Sequence, residues 1–135
     1  MLDKRKFYIN GRWVEPKRPN DFNVINPCNE EPCAIISLGS KEDTNAAIES
    51  AKNAFETWKE TTKEDRLNYL EKLLSVYKKR SREMAEAISL EMGAPLDWAT
   101  EVQTASGQSH LEDFILRLKD FEFDEHFNKK SNNHI

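Results

Sequence analysis

Glycine is scarce in this chain: Gly11, Gly39, Gly93 and Gly107 are all it has in 135 residues. None of the four falls into a G-x-G-x-x-G or P-loop pattern, whose closely set glycines let backbone approach a phosphate. Cysteine and histidine are as thinly spread. Cys28 and Cys33 sit five apart across a turn signal, and His110, His126 and His134 lie far from them in sequence. A four-ligand zinc site needs ligands that this spacing does not supply. A disulfide is allowed by spacing but disfavoured in a cytosolic setting, so both cysteines read as structural thiols. Ser109 and His110 are adjacent, so on a helix they point about 100° apart and do not form a nucleophile–base pair. Glu30-Glu31 and Asp124-Glu125 read as turn and surface charge. No catalytic or cofactor-binding residue is picked out.

A one-sided charge is missing too. Twenty basic residues face 24 acidic ones, for a formal charge of -4, with no basic patch. That argues against nucleic acid as a partner. No apolar run is long enough to span a bilayer. The opening MLDKRKFYIN is charged and has no apolar stretch behind it, so no secretory leader is read there and a cytoplasmic location is expected. Charged residues at 33% and hydrophobic residues at 38% describe a well-solvated domain that can still bury a core.

What is present is local order. Phe7-Tyr8-Ile9 and Arg12-Trp13-Val14 flank Asn10-Gly11, a pair that accepts the positive φ angles of a type I′ hairpin turn. A polar loop with Pro16 and Pro19 follows. Phe22–Ile25 and Cys33–Leu38 read as strands on either side of a turn containing Pro27 and Pro32. Leu38-Gly39-Ser40 is a strand-to-helix turn whose amides could hold an anion, or simply a tight turn ending in an N-cap.

From Ser40 the pattern becomes helical. Ala47, Ile48, Ala51, Ala54, Phe55 and Trp58 form one apolar face, and Glu42 and Asp43 suit the first turn. Thr61-x-x-Glu64 predicts a capping box for a second helix with Leu67, Leu70, Leu74 and Tyr77 inward. The KKR run at Lys78–Arg80 suits its C-terminus. Ser81 predicts the cap of a third helix, which Gly93 and Pro95 close. A fourth runs from about Leu96 to Leu118, with Trp98, Val102, Ala105, Ile115 and Leu118 marking its apolar face. Gly107 inside it predicts close packing, a ligand channel or a plain surface glycine. Phe121, Phe123 and Phe127 alternate as a strand would. The fold class expected is α/β: a helix-rich segment with N-terminal antiparallel hairpin strands.

Taken in order, FYINGRWV, Ile25-Asn26-Pro27, AIESAKNAFETWK, Arg66, Leu90-Glu91-Met92-Gly93-Ala94-Pro95 and Ala99-x-Glu101-Val102 resemble the N-terminal segment of the aldehyde dehydrogenase superfamily, over roughly residues 5 to 125. The resemblance implies NAD or NADP as cofactor and oxidation of an aldehyde to a carboxylic acid. It implies a cysteine nucleophile, an oxyanion hole and a glutamate that activates water. The motifs that carry those groups are absent here, and Cys28 and Cys33 match no family nucleophile. A partial chain, inactive alone, is therefore expected. Residues 1–125 would be the N-terminal part of a cofactor-binding domain, and 126–135 the start of a strand leading to the oligomerisation domain.

The resemblance also implies partners: the rest of an aldehyde dehydrogenase chain, or homologous subunits of a homo-oligomer. It implies a monovalent cation near the Ile25 carbonyl and Glu91. Thr104 and Gln108 would lie near the substrate entrance. Glu30 stands where the family has glycine, which predicts a different turn conformation there. Asp113-Phe114-Ile115-Leu116 departs from the family's aromatic pair. Two other readings stay open: a truncated, non-enzymatic paralogue that associates with full-length subunits through its apolar faces, and an unrelated helical binding module.

Overall fold

The computed structural model describes residues 1–124, so the reading of 126–135, and of Phe127, lies outside the described residues. Strand β1 (Leu2–Lys4) carries no alternation that would announce it, yet it pairs in parallel with β5 (Glu31–Ser37), Leu2 opposite Ala34 and Lys4 opposite Ile36. Between them, β2 (Phe7–Ile9) and β3 (Arg12–Val14) form the expected hairpin. Asn10 at φ 53° and Gly11 at φ 72° supply the two left-handed positions of its turn. Tyr8 and Trp13 pack edge to face on it, 5.3 Å between centroids.

Strand β4 (Asp21–Asn26) pairs antiparallel with β5, giving a three-stranded sheet in the order β1-β5-β4. The register slips between Val24 and Ile25, so that Ile25 faces Pro32 while Val24 faces Ala34. Pro32, which has no amide to donate, sits at this irregularity and beyond the reach of β1. The turn joining the strands keeps a left-handed residue: Glu30 has φ 60°, with its amide on the Asn26 carbonyl at 2.8 Å. Glutamate here holds a conformation that favours glycine, and the side chain bears its strain.

Helix α1 (Lys41–Trp58) starts at a full capping box, Ser40 with Asp43. Helix α2 (Lys63–Lys79) has its box at Thr62 and Asp65, one residue later than Thr61 and Glu64 predict. Thr61 instead bonds back to the Trp58 carbonyl at 2.7 Å and holds the Arg66 Nε at 3.0 Å. Helix α3 (Ser81–Met92) follows without a side-chain cap; Ser81 donates to the Lys78 carbonyl at 3.1 Å, a back-bond to the preceding helix. Gly93 closes α3 at φ 71°. Then come the short α4 (Leu96–Trp98), a π segment over Ala99–Thr104, and α5 (Ala105–Asp120), in unbroken succession. Phe121 and Phe123 stack edge to face at 4.9 Å outside any strand.

The α2 residues predicted to point inward are half-buried, packed on α5, while α3 lies on the π segment. Within the final helix the predicted face holds at Ile115, which is buried, and Leu118, which is half-buried, but not before them. Trp98, Val102 and Ala105 are exposed; Ala99, Thr104 and Ile115 are buried. The π segment adds a residue to one turn, and a 3.6-residue period drawn through it loses phase. Among the described residues only Ala85, Ala99 and Ile115 are buried apolar side chains. The α1 face formed by Ile48, Phe55 and Trp58 is open, its main neighbour being β2. A second apolar groove of about 430 Å³ lies between Trp58, Tyr69, Leu70, Phe114, Leu118 and Phe121.

Candidate functional site

The turn after β4 and the end of α3 meet. Pro27 and Cys28 pack on Gly93 so closely that a β-carbon there would lie 2.8 Å from Pro27 Cγ and 3.4 Å from the Cys28 sulfur. Two constraints therefore fall on Gly93 at once, the left-handed φ and the lack of room. Asn26 shapes the opposing turn by accepting the Cys28 amide on its side chain at 2.9 Å. This junction brings together the segments that carry Ile25 and Glu91, both exposed. Among the described residues no three His, Cys, Asp or Glu side chains gather as metal ligands.

Thr104 and Gln108 lie one turn apart on the face of the last helix that meets α2. Thr104 is only 2% exposed, and its hydroxyl has no partner among the described residues. Its carbonyl accepts the Tyr77 hydroxyl at 2.9 Å. Gln108 is half-buried and donates to Glu112 at 3.1 Å, and Glu112 pairs with Lys78 at 2.7 Å. The Lys78 ammonium, reinforced by Gln108, holds the Glu112 carboxyl below its ordinary range. Gly107 answers to close packing: Tyr77 lies against it.

The α1 N-terminus, the strand-to-helix turn read as an anion site or a plain N-cap, carries its own capping carboxylate. The Ser40 hydroxyl accepts the Asp43 amide at 3.2 Å, and Asp43 accepts the Ser40 amide at 2.9 Å and its hydroxyl at 2.7 Å. Asp43 also accepts the Lys17 amide at 2.9 Å. These bonds, the Ser40 hydroxyl foremost, hold the carboxyl below its ordinary value of 3.8. The sequence reading gave Asp43 only a charge role; the Ser40-x-x-Asp43 spacing was the signal that could have found the box. Cys28 is exposed and Cys33 half-buried, both free, with the Cys33 thiol donating to the Val24 carbonyl at 3.3 Å.

Residues 13–135 match the profile of the aldehyde dehydrogenase family. The chain belongs to that family. A 3-succinoylsemialdehyde-pyridine dehydrogenase of a Pseudomonas species is 40% identical over 93% of this chain and 26% of its own. A putative aldehyde dehydrogenase of Staphylococcus saprophyticus is 38% identical over the same shares. The crystal structure of an aldehyde dehydrogenase from Bartonella henselae superposes with a TM-score of 0.94 at 52% identity, over 98% of this chain and 28% of that one. Aldehyde dehydrogenase C of Pseudomonas syringae, solved with NAD+ and octanal, gives 0.89 at 33% identity over 92% of this chain and 26% of that one. The chain thus spans about a quarter of the length of the aldehyde dehydrogenases it matches. It aligns with their N-terminal part, which confirms both the family and the mixed helix–strand fold class read from the sequence.

Proposed function

We propose that this chain is the N-terminal part of an NAD(P)-dependent aldehyde dehydrogenase, which oxidises an aldehyde to a carboxylic acid once the rest of the subunit is present. The observation that carries the reading is the match over residues 13–135, with 52% identity to one solved relative of which the chain covers 28%. When bound, the nicotinamide supplies the hydride acceptor. On this reading the main cofactor contacts lie in the rest of the subunit, and this segment alone is not expected to bind the dinucleotide tightly. The turn into α1 has its cap satisfied by Ser40 and Asp43, and Glu42 and Asp43 add negative charge that disfavours an anion there. The chain's own contribution is therefore a supporting shoulder. Residues 1–125 belong to the N-terminal part of a cofactor-binding domain in a cytoplasmic homo-oligomer.

Two sites on this shoulder follow. The Ile25 carbonyl and Glu91, on segments brought together at the Gly93 junction, offer oxygen donors that suit a hard monovalent cation. Gln108, with Thr104 behind it, borders the substrate entrance. The test of the main reading is NAD(P) reduction with a panel of aldehydes. The pure 135-residue chain should show none, and measured turnover from it would sink the proposal.

A second reading is favoured by the open α1 face of Ile48, Phe55 and Trp58. On it, the chain is a non-enzymatic partner that docks on full-length subunits. Size-exclusion chromatography with and without a full-length homologue separates the two. Co-elution supports docking, and a folded monomer that ignores the homologue removes it.

A further inference from the structure

We propose that Tyr77 is a positioning residue, a latch that fixes the register of the long helix 96–120 by holding its π segment through the Thr104 carbonyl. Gly107 is the position that makes room for it. Helix carbonyls point towards the helix C-terminus, so the Thr104 carbonyl opens over the residues three and four places on. Gly107 is the first of these. A β-carbon at Gly107 would collide with the Tyr77 hydroxyl and lie 3.0 Å from its ring Cζ, so the bond from Tyr77 to Thr104 requires glycine there.

The burial pattern shows what the latch holds in place. Towards the C-terminus, Thr104, Gly107 or Gln108, Leu111, Ile115 and Leu118 follow ordinary helical spacing on the inward face. Towards the N-terminus the next fully buried residue is Ala99, five positions from Thr104. An α-helical register would turn Thr100 or Glu101 inward instead, and both are exposed. One extra residue in the turn swaps a glutamate for an alanine at the α3 contact, which spares the desolvation of a carboxylate.

The π segment also has a local competitor. Thr100 donates back to the Leu96 carbonyl at 2.8 Å, as a threonine in an α-helix does. Thr104 makes no such bond and its buried hydroxyl is left without a partner among the described residues. Among their hydrogen bonds, that of Tyr77 is the side-chain bond that reaches the segment from another element. The Lys78–Glu112 pair, one residue along α2 and two turns along α5, braces the same contact at 2.7 Å. The latch stands on this geometry alone. If the helix borders an aldehyde entrance, as proposed above, the latch decides which side chains face it.

The test is amide hydrogen exchange on the 135-residue chain, comparing wild type, Tyr77→Phe and Gly107→Ala. Tyr77→Phe keeps the ring and its packing. Both variants should speed exchange of the Ala99–Thr104 amides about tenfold, with amides of α3 around Ala85 unchanged. Gly107→Ala should cost less in the Y77F background than alone, because the hydroxyl it displaces is already gone. Unchanged protection over Ala99–Thr104 would overturn the proposal. So would loss spread evenly over all helices, which reads as plain packing, or a wild-type chain without protection in this segment.

Discussion

The carboxylate of Asp43 accepts the backbone amide of Lys17, 26 positions earlier, at 2.9 Å. Its other oxygen takes the amide and hydroxyl of Ser40. One residue therefore caps α1 and anchors the loop that returns from the β2–β3 hairpin. Arg18 adds an ion pair to Glu42 at 2.6 Å beside it. Asp43 is 5% exposed, whereas Arg18 and Glu42 are open to solvent, so the hydrogen bonds of Asp43 outweigh the ion pair.

Stability should fall with acid through this group. The Asp43 carboxyl is held below 3.8, as is that of Asp65 by Thr62 at the start of α2. A depressed carboxyl contributes stability above its unfolded value and loses it as pH falls through its folded one. The Asp3 carboxyl, hydrogen-bonded by Arg5, is lowered to about 2. Urea midpoints measured from neutral pH down to about pH 2 should drop below about pH 4, and Asp43→Asn should flatten that drop. An equal drop in the variant would remove Asp43 as the cause.

Replacing Glu30 with glycine should stabilise the chain. The native φ of 60° costs a side-chain-bearing residue about 1 kcal/mol that glycine does not pay. Equilibrium urea unfolding would show a higher midpoint with an unchanged slope. A loss of stability would mean that the Glu30 side chain makes a favourable contact.

The reverse holds at Gly93. Alanine there meets both φ 71° and Pro27, with 2.8 Å to its Cγ. The expected loss is about 2 kcal/mol, read as a lowered urea midpoint, and the turn at Asn26–Pro27 must shift. Retained stability would show that this junction gives way easily.

Ile48→Lys and Phe55→Glu should act differently. Ile48 is 60% and Phe55 55% exposed, so the pair should change folding stability by no more than about 0.5 kcal/mol each. If α1 is a docking face, the same variants abolish co-elution with a full-length homologue. A large stability loss instead would place these side chains in the chain's own core.

Much of the architecture was legible because its signals are local. Asn10-Gly11 fixes a hairpin turn, Ser40 begins a helix and Gly93 ends one, each through dihedral preference or a side-chain cap. Strand β1 was not legible, since its parallel pairing with β5 depends on partners some thirty residues away. Thr61 and Thr62 both satisfy a cap pattern, and only the folded chain chooses Asp65 over Glu64. On the last helix Ile115 and Leu118 were legible as inward, whereas Trp98, Val102 and Ala105 were misplaced because the π segment breaks the period that reveals the face. Of the candidate sites, the meeting of the Asn26–Pro27 turn with Gly93 came from the resemblance. The role of Tyr77 was hidden, because a tyrosine on an apolar stripe gives no sign of which carbonyl it will reach.

The small buried set of Ala85, Ala99 and Ile115 has a thermal consequence. Many of its other apolar side chains are half-buried or exposed, so unfolding this chain hydrates less apolar surface than unfolding a domain with a full core. The heat-capacity step should accordingly fall below the usual value of about 12–15 cal/mol/K per residue. A calorimetric trace would then be a low, broad rise, and stability would vary with temperature along a shallow arc. Covering Ile48, Phe55 and Trp58 with a partner should deepen that arc and sharpen the transition, so the curve itself becomes a gauge of what lies on the α1 face.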